Sequence, residues 1–134
     1  MKRLVGSAFG LGLVPFAPGT FGTLAGVGIA LLPGDVAIAG AAAAVFVLGL
    51  MLADARDPGW FVLDEVAAFP LVVLGMPRPW WALALGFLAF RLFDIWKPWP
   101  IRRVERLPGR FGVMADDVVA AAYAHVVLRM VGLL

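Results

Sequence analysis

An uncharged run of 18 residues, VAIAGAAAAVFVLGLMLA at positions 36–53, is the feature that most constrains how this chain folds. A helix of that length rises about 27 Å, close to the roughly 30 Å of hydrocarbon in a bilayer. The rest of the chain is similar in character, since 63% of its 134 residues are hydrophobic and 15% are charged, against about 25% in soluble domains. The sequence therefore predicts an all-α membrane protein with one domain, residues 1–134.

Four further segments are apolar enough to be predicted as membrane segments, at 19–32, 60–76, 79–96 and 118–134. Before them, glycines and prolines interrupt the stretch up to Pro18, so we expect a broken or re-entrant piece there. Irregular backbone is tolerated within a membrane where it is buried in protein. Lys2 and Arg3 ahead of an apolar run are also typical of a signal peptide, but the early interruptions disfavour that alternative. We therefore predict a compact helical bundle of about five membrane segments, the first one broken or re-entrant.

Five basic residues between the fourth and fifth predicted segments set the expected orientation. They are Lys97, Arg102, Arg103, Arg106 and Arg110. Because cytoplasmic loops are enriched in lysine and arginine, we expect this loop on the cytoplasmic side, which leaves Arg78 as the exception in an outer turn. The cluster also predicts contact with anionic lipid headgroups. A net charge of +2 is too small to indicate nucleic acid.

The residue types limit the chemistry that this chain can perform. It has no cysteine and a single histidine, His125. Cysteine nucleophiles, thiolate metal sites and sites that need two histidines are therefore excluded. Any chemistry must come from carboxylates, amines and guanidinium groups.

The predicted topology brings acidic side chains from three membrane segments to the cytoplasmic face, together with Lys97. The acids are Asp57, Asp64, Glu65, Asp94, Asp116 and Asp117. Carboxylates crowded at a membrane boundary repel one another unless a cation or a basic side chain holds them together, so we expect a divalent metal ion. Oxygen ligands without a histidine pair favour Mg²⁺ over Mn²⁺.

The stretch FRLFDIWKPWPIRR at 90–103 places Arg91, Asp94 and Lys97 at intervals of three residues. On a helix this spacing makes the aspartate a neighbour of both basic residues. Pro98 disfavours helical backbone at Lys97 and is expected to end the helix. The pattern suits an aspartate that ligates a metal beside two cations that bind phosphate oxygens.

Several of these features have a structural alternative. Asp116 and Asp117 precede an apolar run and are also typical of helix N-terminal caps. Asp57 in DPG is also typical of a turn, and Arg91 with Asp94 also fits a structural ion pair. Two other functions stay open on these residues alone: a small polytopic transporter that binds a coupling cation through intramembrane carboxylates, and a structural membrane subunit.

Four segments carry a longer pattern: FGLGLVPFAPGTFGTLAG near the N-terminus, DPGWFVLDE at 57–65, FRLFDIWKPWPI at 90–101 and GVMADD at 112–117. In these segments, and in their order, the chain resembles the phosphatidylglycerophosphatase A family of bacterial membrane lipid phosphatases. The resemblance implies Mg²⁺-dependent hydrolysis of phosphatidylglycerophosphate to phosphatidylglycerol and inorganic phosphate. It also implies a multi-pass protein of the bacterial cytoplasmic membrane with its active site on the cytoplasmic side.

The resemblance further implies roles for individual residues. The catalytic candidates are Asp64, Glu65, Asp94 and Lys97; the substrate-binding candidates are Arg91, Lys97, Arg102 and Thr20; and the candidate metal ligands are Asp57, Asp64, Glu65, Asp94, Asp116 and Asp117. Either Asp64 or Glu65 is expected to act as general base. The number of metal ions and the oligomeric state are left open.

Overall fold

A computed structural model describes residues 2–13, 18–52, 61–77, 79–106 and 110–133, and within these ranges the chain is helical with no strand. The α-helices are α1 (Lys2–Gly6), α2 (Pro18–Ala30), α3 (Asp35–Leu52), α4 (Leu63–Val72), α5 (Trp80–Trp96), α6 (Ile101–Glu105) and α7 (Arg110–Leu133). A short 3-10 helix lies at Leu11–Leu13. The all-α prediction is therefore confirmed.

Helix α4 lies at the centre of the bundle. Helices α2, α3 and α7 each make their most extensive contacts with it. Eight of its ten residues are buried, and the ring of Phe69 packs against Phe87 and Phe90 of α5 at centroid distances of 6.3 and 6.0 Å. A helix surrounded in this way must be apolar on nearly every side, which explains the nearly continuous apolar run in its sequence.

This central helix is shorter than the membrane segment predicted at 60–76. Its ten residues rise about 15 Å, half the thickness of the hydrocarbon layer. After Val72 the chain leaves helical geometry and turns at Gly75, where φ is +76°. Among the described helices, α3 alone is long and apolar enough to cross a membrane by length and composition. Five membrane crossings therefore stay a prediction.

The helices around α4 carry large apolar side chains on their outer surfaces. Leu24 of α2, Met51 of α3, Leu88 of α5 and Met130 of α7 are each between 50 and 66% exposed. Extended apolar surface of this kind is rare on soluble monomers and typical of surfaces that meet lipid or protein. It supports a bilayer as the environment of the bundle.

The N-terminal piece is broken, as the glycines predict. Helix α1 ends at Gly6, and the following Ala8 and Phe9 have positive φ angles of 52° and 58°. The carbonyl oxygen of Gly6 accepts a hydrogen bond of 2.9 Å from the Val62 amide, just before α4. This contact ties the first piece of the chain to the start of the central helix.

We predict that Gly26→Ala destabilises the bundle. A Cβ atom at Gly26 would lie 2.8 Å from the Cβ of Phe69 and 3.2 Å from the Val66 carbonyl oxygen, and overpacking of a core costs about 1–3 kcal/mol. Gly28→Ala is the matched control, because the same helix has nothing within 4 Å of a Cβ there. Thermal unfolding in detergent should show a lower Tm for Gly26→Ala only, and an undiminished Tm would contradict the close contact of α2 with α4.

Candidate active site

The start of α2, the start of α4, the end of α5 and the second turn of α7 come together at one end of the bundle. Asp64 and Glu65 are in the first turn of α4, and Asp117 of α7 lies beside them. Asp94 lies near the end of α5, close enough to Asp117 for the two carboxyl groups to interact. The predicted convergence of acids from three helices is therefore present in the structure.

Three of the predicted metal ligands form a tight cluster. One carboxylate oxygen each of Asp64, Glu65 and Asp117 lies within 4.8 Å of the others. Asp64 and Asp117 are buried. Glu65 Oε2 and Asp117 Oδ2 are buried atoms that have no hydrogen-bond partner among the described residues. Buried carboxylate charge without a partner is strongly destabilising, so a positively charged partner would stabilise this cluster.

The donor set of this cluster fits a hard divalent cation. Mg²⁺ takes oxygen ligands at about 2.1 Å, so two ligands of one ion lie at most about 4.2 Å apart. The oxygens here lie within 4.8 Å of one another, which is close to this limit. The arrangement therefore supports a metal site, whereas the identity of the metal stays a prediction.

Arg91 and Asp94 form the pair that their spacing predicts. Arg91 Nη1 donates a hydrogen bond to Asp94 Oδ2, and the side chains are 17% and 11% exposed. Since Asp94 also approaches Asp117, its carboxylate lies beside both the guanidinium and the acidic cluster. A role of Asp94 as metal ligand or catalytic group stays a prediction beside this ion pair.

Gly19, at the start of α2, lies against both Arg91 and Glu65. A Cβ atom at Gly19 would be 2.9 Å from Arg91 Nη1 and 2.9 Å from Glu65 Oε1. The start of α2 can therefore approach the site because this position has no side chain. Thr20, predicted to bind substrate, is the next residue and is partly buried.

Lys97 is held between two carboxylates. Its Nζ donates to Asp116 Oδ2 at 2.7 Å and lies 3.3 Å from Glu105 Oε1. Partial burial lowers the pKa of the Lys97 ammonium, but the hydrogen bond and the charge of Asp116 outweigh this, so the pKa rises above its ordinary value. The side chain is therefore a stable cation next to the acidic cluster. Asp116 serves here as its partner and is not one of the three clustered carboxylates.

The backbone around Lys97 confirms that Pro98 ends α5. The helix stops at Trp96, and Lys97 has the left-handed angles φ 52° and ψ 61°. Arg102 then donates from Nε to the Lys97 carbonyl at 3.1 Å and from Nη2 to the Trp96 carbonyl at 3.4 Å. The structure thus places Arg102, predicted to bind substrate, as a cap on the end of α5.

Sequence reasoning missed three residues that shape this region. Tyr123 Oη donates to the Trp99 carbonyl at 2.7 Å and fixes the loop after Lys97 onto α7. Glu105 contacts Lys97, and Gly19 admits Arg91. The glycines of the segment FGLGLVPFAPGTFGTLAG gave some signal for Gly19. Tyr123 binds a backbone carbonyl 24 residues away, a contact that leaves no local pattern.

The structure also corrects one interpretation of the acids. The interpretation of Asp116 and Asp117 as N-terminal caps is wrong. Helix α7 begins at Arg110, and both residues lie in its second turn. Asp57, predicted as a metal ligand, lies outside the described residues.

Comparison with known proteins identifies a family that covers nearly the whole chain. The model of the family "Phosphatidylglycerophosphatase A" matches residues 4–132. No solved structure matches the chain significantly.

Three curated relatives cover nearly the whole chain. Phosphatidylglycerophosphatase A of Escherichia coli K12 is 34% identical over 97% of this chain and 83% of the relative. The Haemophilus influenzae protein of the same name is 40% identical over 94% and 85% of the two chains. A Bacteroides thetaiotaomicron protein, provisionally named phosphatidylinositol-3-phosphatase, is 34% identical over 95% and 91%. This chain therefore belongs to the phosphatidylglycerophosphatase A family.

Proposed function

We propose that this protein is a Mg²⁺-dependent lipid phosphatase that converts phosphatidylglycerophosphate to phosphatidylglycerol and inorganic phosphate at the cytoplasmic face of the membrane. The observation that carries the proposal is the cluster of Asp64, Glu65 and Asp117 at the same end of the bundle as Arg91 and Lys97. Membership of the family and the names of the Escherichia coli and Haemophilus influenzae relatives support the substrate.

The three clustered carboxylates, Asp64, Glu65 and Asp117, would hold the metal ion. Bound there, Mg²⁺ supplies Lewis-acid polarisation of a phosphoryl oxygen. Helix α4 adds to the site because Asp64 and Glu65 lie in its first turn, where the helix dipole favours negative charge.

Arg91 and Lys97 would bind the oxygens of the phosphate monoester. Arg91 uses Nη1 for Asp94, and its Nε is buried without a hydrogen-bond partner among the described residues. The Lys97 ammonium carries three N–H donors, of which Asp116 and Glu105 engage two. Both cations are therefore held in place with a donor to spare, which suits recognition of a dianionic phosphate.

The start of α2 offers a further group of donors. The first amides of an α-helix have no partner within the helix, and such helix starts bind phosphate. Gly19, in this first turn, lies against the guanidinium of Arg91. The amides that follow Pro18 therefore add to the phosphate-binding surface.

Hydrolysis breaks the bond between phosphorus and the glycerol oxygen and forms one between phosphorus and a water oxygen. The water loses a proton, and the leaving glycerol oxygen gains one. Glu65 is suited to accept the water proton, since its Oε1 lies beside Gly19 and Arg91, where the phosphate would bind. Asp64, on the same turn, is the alternative base.

The direct test is phosphate release from phosphatidylglycerophosphate in detergent. We expect turnover with Mg²⁺, loss of turnover with a chelator and recovery when Mg²⁺ is restored. Phosphatidylinositol-3-phosphate serves as the comparison substrate, because one relative carries that provisional name, and we expect slower release from it. A folded protein that released phosphate from neither lipid would contradict the proposal and favour a transporter or a structural subunit.

We predict that Mg²⁺ raises the Tm of the wild type and that Asp117→Asn removes this increase. A ligand at 100 times its Kd stabilises the folded state by about 2.7 kcal/mol. Without metal, Asp117→Asn relieves repulsion in the cluster, so its Tm should equal or exceed that of the wild type. Glu105→Gln is the control, since its side chain is 49% exposed and outside the cluster. If Mg²⁺ raised the Tm of Asp117→Asn as much as that of the wild type, the metal would bind elsewhere.

Asp94→Asn separates a catalytic carboxylate from a structural one. We expect turnover to fall at least about 100-fold, equivalent to about 2.7 kcal/mol of transition-state stabilisation, with an unchanged Tm. A residue that only neutralises Arg91 would behave in the opposite way, because its loss leaves a buried cation unpaired and lowers stability first. Mg²⁺-dependent rates and thermal unfolding of both proteins provide the measurement. Near-normal turnover with a clearly lower Tm would remove Asp94 from the catalytic groups.

A cysteine placed at Arg106 tests the cytoplasmic location of the site. Arg106 is exposed, and the chain has no other cysteine. We expect an impermeant thiol reagent to leave Arg106→Cys unlabelled in intact cells and to label it once the membrane is permeabilised. Pro33→Cys, in the exposed turn at the opposite end of α2, should react in intact cells. The reverse labelling pattern would place the site on the outer face.

A further inference from the structure

A cavity of about 580 Å³ lies at the end of the bundle opposite to the carboxylates. The turn after α4, the start of α5 and the end of α7 form its walls, with Pro77, Trp81 and Leu128 among the lining residues. Trp81 and Lys97 lie at opposite ends of α5, about 24 Å apart along the helix. The cavity is therefore separate from the candidate active site.

Among the described residues that line this cavity, Arg129 is the one charged side chain and the others are apolar. His125 Nδ1 donates to the Val72 carbonyl at 3.0 Å, which leaves His125 Nε2 to accept from Arg129 Nε at 3.3 Å. Arg129 Nη2 donates to the Gly75 carbonyl at 3.1 Å. Among the described residues, the third nitrogen, Nη1, makes no hydrogen bond. The guanidinium is thus held in a fixed orientation at an apolar cavity with one donor group available.

We propose that this cavity binds one glycerophospholipid from the leaflet opposite to the active site. An acyl chain would lie along Trp81 and Leu128, and the lipid phosphate would accept a hydrogen bond from Arg129 Nη1. The site depends on the membrane location in the proposed function and is independent of the phosphatase chemistry.

Two observations favour a phospholipid as the occupant. Trp80 and Trp81 are 80% and 47% exposed at this end of α5, and tryptophan favours the headgroup layer of a bilayer. Positive charge is scarce on the outer side of membrane proteins, yet Arg129 lies at that end. A phosphate partner would complement the charge of this arginine at a cavity whose other described lining residues are apolar.

Native mass spectrometry of the detergent-purified protein tests the site, with 1-palmitoyl-2-oleoyl-phosphatidylethanolamine as the probe. Arg129→Gln removes the cation. Gly132→Leu fills the cavity and should fold, because Gly132 lines it and has nothing within 4 Å of a Cβ. Matched controls are Gly40→Leu, an equally open glycine in α3, and Arg103→Gln, an exposed cation in α6.

We expect the wild type and both controls to retain one lipid, and both cavity variants to retain at least 10-fold less. Dioleoylglycerol, which lacks the phosphate, should also be retained at least 10-fold less by the wild type. Wild-type retention by Arg129→Gln, or equal retention of dioleoylglycerol, would overturn the proposed phosphate contact. If the protein is a dimer and only Gly132→Leu dissociates it, the occupant of the cavity is a second copy of the chain. That result would overturn the lipid site.

Phosphate release is measured on the same preparations. Because Gly132 lies far from the clustered carboxylates, Gly132→Leu should keep wild-type turnover while it loses the lipid. An inactive wild type that still retains the lipid would instead contradict the phosphatase proposal alone. Failure of the lipid site and failure of the proposed function are therefore distinguishable.

Discussion

The mutual repulsion of Asp64, Glu65 and Asp117 is the constraint on which the rest of this structure depends. Their oxygens lie within 4.8 Å of one another. The dipole of α4 favours two of these carboxylates by about 0.3–1 kcal/mol each, whereas a buried unpaired charge costs several kcal/mol. The helix dipole is therefore too weak to hold the cluster together. A bound cation would be a partner of sufficient strength, and the short, buried helix α4 keeps Asp64 and Glu65 at this end of the bundle.

The two basic groups beside this cluster each have a carboxylate partner outside it. Arg91 is paired with Asp94 and Lys97 with Asp116, so each cation has a carboxylate outside the three that lie together. A lysine or arginine bound directly to Asp117 would compete with a metal ion for the same oxygens. By contrast, the observed pairs orient both cations beside the cluster and leave donors for a phosphate group. If the clustered carboxylates hold a metal ion and the two cations bind phosphate, separate partners of this kind keep the two functions from competing.

Local spacing and overall topology account for the part of this site that the sequence predicts. The interval between Arg91 and Asp94 lies within one helix, and Pro98 acts on its immediate neighbour, so both outcomes follow from local geometry. The different contacts of Asp116 and Asp117 do not follow from local geometry. Adjacent residues on a helix point about 100° apart, so the rotation of α7 against α4 and α5 decides which aspartate reaches the acidic cluster and which reaches Lys97. The length of α4 could not be predicted from the sequence either, because the residues that flank the helix are as apolar as the helix itself.

Helix α7 fixes the position of the central helix from both ends. Asp117 lies beside the first turn of α4, while His125 and Arg129 bind the carbonyl groups of Val72 and Gly75 where α4 has ended. Unpaired carbonyls at a helix end need donors, and these two side chains supply them inside an apolar bundle that has few others. Because α4 is only ten residues long, a shift that improved one end would break contacts at the other. The acidic cluster and the cavity at Arg129 are therefore held at a constant separation by one pair of helices, although they face opposite ends of the bundle.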